Sequence, residues 1–234
     1  MLVSIYLYLS LLVLLPFSAW GHDLWVERDL TGGLYSLTYG HEGSGHTGAK
    51  RLDYAPESIK QALCFNAAGQ PQRALQNSNY PVSLTGDCAA TWFLLSSGYW
   101  SKTPYGTKNL PKSEAGISIT SWLSMESVKR IDHWGTALTR PLTQELELAP
   151  LANPLPLKKG DKLRLQAFFK GKPAAGVTVA YFGKPRGVTG QDGTLNIRLN
   201  QPGLQLIQAS LDQVIDDFRA DKIIHTSALQ FQIP

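Results

Sequence analysis

Apolar and polar side chains alternate one-for-one in many stretches of this chain, a pattern that predicts strands rather than helices. Tyr35, Leu37 and Tyr39 alternate with Ser36 and Thr38, Ile117 and Ile119 with Ser118 and Thr120, and Leu146 and Leu148 with Glu145 and Glu147. A period of two puts one set of side chains on a single face, as in a half-buried strand. From Leu163 the pattern is more regular. Leu163, Leu165, Ala167 and Phe169 alternate with Lys162, Arg164, Gln166 and Phe168, and Val177, Val179 and Tyr181 follow. Leu195, Ile197 and Leu199, then Leu229, Phe231 and Ile233, complete the series. Gly171-Lys172-Pro173, Gln191-Asp192-Gly193 and Pro202-Gly203 separate these runs with turn chemistry. No segment sustains a 3.6-residue period, although Glu57–Leu63 and Leu211–Ala220 each suit a short helical turn. The expected class is all-β, in antiparallel sandwiches.

Three prolines between Ala149 and Pro156 mark a stiff connector that cannot continue a central strand. At the other end, Leu2 through Leu15 is almost wholly apolar and uncharged, and Pro16 breaks it. Ser18-Ala19-Trp20-Gly21 then places small residues three before and one before the Gly21/His22 bond, as a signal peptidase requires. The run has no Lys or Arg near Met1 and is shorter than the ~20 apolar residues that span a bilayer. The expected organisation is a signal peptide at 1–21, an N-terminal β-sandwich at 22–149 and a C-terminal β-sandwich at 157–234. No later segment is long and apolar enough to cross a membrane, so the mature chain is expected to be periplasmic and not membrane-spanning.

Composition narrows the function. A hydrophobic content of 43% suits a globular protein. The net charge of +4 comes from dispersed Lys and Arg, with only short pairs such as Lys158-Lys159, so no nucleic-acid partner is expected. The two cysteines, Cys64 and Cys88, are expected to form one disulfide in an oxidising compartment. A Gly-x-Ser-x-Gly elbow, a phosphate loop and a Cys-x-x-Cys pair are all absent, so no enzyme activity is expected. Trp92-Phe93, Tyr99-Trp100 and Tyr105 suit either a sandwich core or an aromatic platform for a sugar ring.

Histidine carries the chemistry. Of five, three fall early in the mature chain: His22, His41 and His46. Cleavage after Gly21 would leave His22 with a free amine that closes a chelate ring with its own Nδ1. An α-amine of pKa near ~8 gives up its proton readily to a metal, and neutral imidazole suits nickel, cobalt, copper and zinc. His41-Glu42-Gly43-Ser44-Gly45-His46 follows the Tyr35–Tyr39 strand. The two histidines are five apart, not the four a zinc-protease helix needs, so only a glycine-hinged loop turns both toward one ion. Asp23 and Glu42 are candidate oxygen ligands, and His133 and His225 are weaker nitrogen candidates.

Several stretches, in order, resemble the periplasmic components associated with bacterial nickel/cobalt uptake. His22-Asp23-Leu24-Trp25-Val26-Glu27 is similar to the mature start of that family, and Leu37-Thr38-Tyr39-Gly40-His41 to its strand ending in Gly-His. Gly98-Tyr99-Trp100-Ser101-Lys102-Thr103 resembles a middle motif, and Glu145 to Leu151 with Asn153-Pro154 and Gly160-Asp161 an interdomain passage. Gly171-Lys172-Pro173, Gly176, Asp192-Gly193 and Ala228-Leu229-Gln230-Phe231 are similar to its transthyretin-like or immunoglobulin-like second domain. The resemblance covers nearly the whole mature chain. It implies a carrier that binds Ni²⁺ or Co²⁺ as cargo for an inner-membrane metal transporter complex, with His22 and His41 as ligands; His46 is added from the loop. Copper binding by the same amine and imidazoles is an alternative, as are a copper-dependent polysaccharide oxidase and a metal-free adhesion or carbohydrate-binding module.

Overall fold

The computed structural model describes residues 23–29, 33–40 and 51–234. In chain order the strands are β1 (Asp23–Arg28), β2 (Leu34–Gly40), β3 (Arg51–Leu52), β4 (Ile59–Phe65), β5 (Pro71–Gln72), β6 (Leu75–Asn77), β7 (Ser83–Thr85), β8 (Ala90–Thr103), β9 (Gly106–Lys108), β10 (Thr120–Ile131) and β11 (Glu147–Pro150). After the proline-rich passage come β12 (Lys162–Phe169), β13 (Lys172–Pro173), β14 (Thr178–Tyr181), β15 (Lys184–Val188), β16 (Thr194–Arg198), β17 (Gly203–Val214) and β18 (Lys222–Ile233). The α-helix among the described residues, α1 (Lys112–Ala115), is a single turn.

Among the described residues these strands form three sheets of nine, five and four strands. The nine-stranded sheet runs β15-β14-β17-β18-β10-β8-β4-β5, with β9 added to β8. Strands from both sides of the proline-rich passage therefore share one sheet. They meet where β10 and β18 lie parallel, from Trp122 opposite Lys222 to Ile131 opposite Phe231. This pair departs from the all-antiparallel expectation. A parallel neighbour needs a long crossover, and here the chain from 132 to 221 supplies it.

Both faces of this sheet are covered, and the sequence of β8 shows why. Trp92-Phe93-Leu94-Leu95 is a continuous apolar run, as expected of a strand buried on both faces. Trp92 and Leu94 join one core with Leu163, Leu165, Ala167 and Leu229, under the four-stranded sheet of β11, β12, β13 and β16. Phe93 and Leu95 join the other with Val26, Tyr35, Leu37, Leu84 and Val128, under the five-stranded sheet of β1, β2, β3, β6 and β7. This second core contains the Cys64–Cys88 disulfide, with an S–S distance of 2.04 Å. The protein is thus an all-β sandwich of stacked sheets.

Three local expectations change. Ile117 and Ile119 lie in the connection ahead of β10 and are 74% and 62% exposed, since the ladder that would set them on a covered face begins only at Thr120. Leu211–Ala220 forms no helical turn: its first residues extend β17, whose ladder with β18 runs to Val214 opposite Lys222 and satisfies the backbone. In Glu57–Leu63 the helical turn is confined to a 3-10 turn at Pro56–Ser58, before β4 starts at Ile59.

Candidate metal centre

β1 is an edge strand of the five-stranded sheet and would expose a row of backbone groups on its open side. A side chain closes that side. The Val26 N–H donates to Gln230 Oε1 at 2.8 Å, and the Val26 carbonyl accepts from Gln230 Nε2 at 2.7 Å and from Arg130 Nη1 at 3.0 Å. One carboxamide thus satisfies the backbone as a neighbouring strand would, and both donors are buried in the central sheet. Arg130 is held in turn by Asp132 Oδ1 at 2.8 Å, which also lies 3.6 Å from Arg28. The strand following His22 is therefore fixed by polar contacts, not by packing alone.

The start of β1 is built from three paired ends. Asp23 is opposite Gly40 in β2, and Gly40 is opposite Arg51 in β3. Asp23 Oδ1 accepts from Gln208 Nε2 of β17 at 2.8 Å, tying this end to the central sheet. Beside it, Leu24 is opposite Tyr39. On the central sheet Glu126 accepts from Ser124 Oγ at 2.9 Å and from Ser97 Oγ at 3.4 Å. The Trp100 indole N–H in turn donates to Ser97 Oγ at 3.0 Å. Burial pushes the Glu126 carboxyl above the ordinary range, although the two serine hydroxyls pull it back. Burial, and then the charge of Glu126, raise the Tyr39 phenol as well, so it stays protonated at neutral pH.

His22, His41, His46 and Glu42 lie outside the described residues. In sequence His22 precedes Asp23 and His41 follows Gly40, and Asp23 and Gly40 are directly opposed in the β1–β2 ladder. The remaining histidines lie elsewhere. His133 is exposed and follows Asp132, at the Arg28 end of β1. With a rise of about 3.3 Å per residue, that is roughly 16 Å along the strand from Asp23. His225 is buried on the opposite face of the central sheet, against Phe169 of the four-stranded sheet. Among the described residues, no group of three or more His, Cys, Asp and Glu gathers around one point.

Sequence reading passed over Glu126 and Gln230. Ser124 and Glu126 share a face by the two-residue period, which was the available signal for the first. The role of Gln230 depends on a contact across most of the chain and had no local signal. The aromatics divide: Trp92 and Phe93 are core, Tyr99 lies under the Arg219 guanidinium at 5.0 Å, and Tyr105 is exposed.

Stacked sheets, one disulfide and a polar strand end define a β-sandwich protein with a candidate ligand-binding edge. The chain belongs to the family described as a domain of unknown function (DUF4198), which matches residues 19–213. No curated protein matches it in sequence. A solved structure described as the D0-D1 domain of Intimin is similar at 12% identity over 90% of this chain and 97% of that one, with a TM-score of 0.25.

Proposed function

We propose that this protein is a periplasmic metal carrier that binds Ni²⁺ or Co²⁺ and passes it to an inner-membrane uptake transporter. The observation that carries the reading is the pairing of Asp23 with Gly40, because it sets the residues bonded to His22 and His41 side by side on a fixed strand end. In this reading the amine and imidazole of His22 bind the ion together with His41, and His46 closes the set from the intervening segment. Nickel and cobalt accept oxygen as well as nitrogen donors, and Asp23 and Glu126 are the nearby carboxylates suited to complete the shell. A desolvated carboxylate such as Glu126 gains when a cation arrives to balance its charge. The disulfide agrees with an oxidising compartment, and no helix among the described residues is long and apolar enough to cross a membrane.

The test is calorimetric titration of Ni²⁺ and Co²⁺ into the chain beginning at His22, beside His41→Ala. Tight binding of one ion that weakens at least roughly tenfold in the variant is the expected result. Equal binding by both proteins would remove His41 from the site and with it the paired-end argument.

A further inference from the structure

A second set of donors lies on the other face of the central sheet. His225 in β18 is only 6% exposed. Its Nε2 is 3.2 Å from Gln213 Oε1, and in the tautomer that donates this hydrogen bond Nδ1 presents a lone pair. That Nδ1 is buried without a hydrogen-bond partner and stands 3.8 Å from Glu145 Oε2. Phe169 packs on the imidazole with ring centroids 4.7 Å apart. Met125 of β10 and Leu211 of β17 are the cross-strand neighbours of His225, on the same face.

A lone pair and a carboxylate are both acceptors. Facing each other, with the imidazole buried and the carboxylate partly exposed, they are stabilised by a cation shared between them. The charge of Lys170 acts on both Glu145 and His225, and its Nζ sits over the Phe169 ring at 5.2 Å. Burial, and then the charge of Lys170, hold the imidazole below its ordinary value of 6.5, so it is neutral and ready to coordinate at neutral pH. Orientation of a ligating imidazole by a carbonyl on its other nitrogen is a recurrent feature of metal sites, and Gln213 supplies it here. Met125, the cross-strand neighbour of His225, carries a soft thioether.

We propose that His225 and Glu145, with Met125 adjacent, form a second cation site selective for a late first-row transition ion. Bonds of about 2.1 Å to nitrogen and oxygen give an N···O separation of roughly 3.4 Å at the tetrahedral angle. Glu145 therefore has only a few tenths of an ångström to close, and its partly exposed side chain is able to move that far. The site shares no residue with the N-terminal histidines.

The test uses the chain carrying His22→Ala, His41→Ala and His46→Ala, so that the N-terminal histidines contribute nothing. Co²⁺ is titrated by calorimetry and visible absorption, and the His225 ring is followed by nitrogen NMR. Binding of one Co²⁺ with broadening of the His225 signals is expected, weakened at least roughly tenfold in both His225→Gln and Glu145→Gln. Glu145→Gln acts at a partly exposed position and keeps the test valid if the buried histidine variant fails to fold. No Co²⁺ bound to the triple variant, or equal binding with and without Glu145→Gln, would overturn the proposal.

Discussion

Glu145 and Glu147 are two residues apart and reach the same face of the central sheet, yet their surroundings could hardly differ more. Glu147 is fully buried, with Oε1 2.6 Å from Lys129 Nζ. Its oxygens also accept from the backbone N–H groups of Leu142 and Thr143 and from the Thr143 hydroxyl. Between the two, the Leu146 carbonyl accepts from Ser127 Oγ at 3.3 Å, so the stretch is pinned along β10. Glu145 faces His225 Nδ1 at 3.8 Å, beyond hydrogen-bond length, and that buried nitrogen has no hydrogen-bond partner. A buried charge with every acceptor site used is a structural fixture. A carboxylate facing a bare imidazole nitrogen is a place where something else binds.

Replacing one member of each pair sharpens that contrast. Glu147→Gln strands the Lys129 ammonium in the core, and a loss of about 3–5 kcal/mol is expected in urea unfolding. Lys129→Met with Glu147→Leu removes both charges and should recover most of it. Gln230→Leu is the neutral counterpart. It leaves the buried Val26 N–H unpaired while Arg130 still serves the carbonyl, and a loss of about 1–3 kcal/mol is expected. Because β1 follows directly from His22, the same variant should also weaken nickel binding, which titration measures.

Glu145→Gln gives the smallest effect, within about 0.5 kcal/mol in metal-free protein, since its side chain is partly exposed. Burial raises the folded pKa of Glu145 above its ordinary value of 4.5. Its contribution to stability is therefore present below 4.5 and is lost as pH rises through the raised value. Unfolding curves should accordingly favour the variant at pH 7 more than at pH 3. A large loss at pH 7 would show Glu145 to be a structural fixture like Glu147, and would erase the comparison.

How legible these features were depends on how local they are. The alternation of Leu163, Leu165 and Ala167 gave β12 directly, since period-two burial is a property of the strand itself. The Cys64–Cys88 bond followed from there being two cysteines. The Glu145-Leu146-Glu147-Leu148 alternation pointed to a strand, which starts only at Glu147, and not to which glutamate is buried, because that depends on Lys129 and His225 in other strands. The parallel joining of β10 to β18 is a pairing between distant segments, and no pattern within either strand specifies it. Ile117 and Ile119 show the converse: their alternation is real in sequence, but both are exposed. At the candidate metal centre the histidines were readable from sequence, whereas Glu126 depends on Ser97 in a neighbouring strand and Gln230 on a contact between sheets.

The most direct measurement compares the chain beginning at His22 with one carrying a single extra N-terminal residue, each titrated with Ni²⁺, Co²⁺ and Cu²⁺. The extension leaves every imidazole in place and removes only the free amine of His22. Loss of tight binding of one ion in the extended chain is the predicted result. Equal affinity in the two chains would contradict the carrier site as described, because the amine of His22 would then take no part in it.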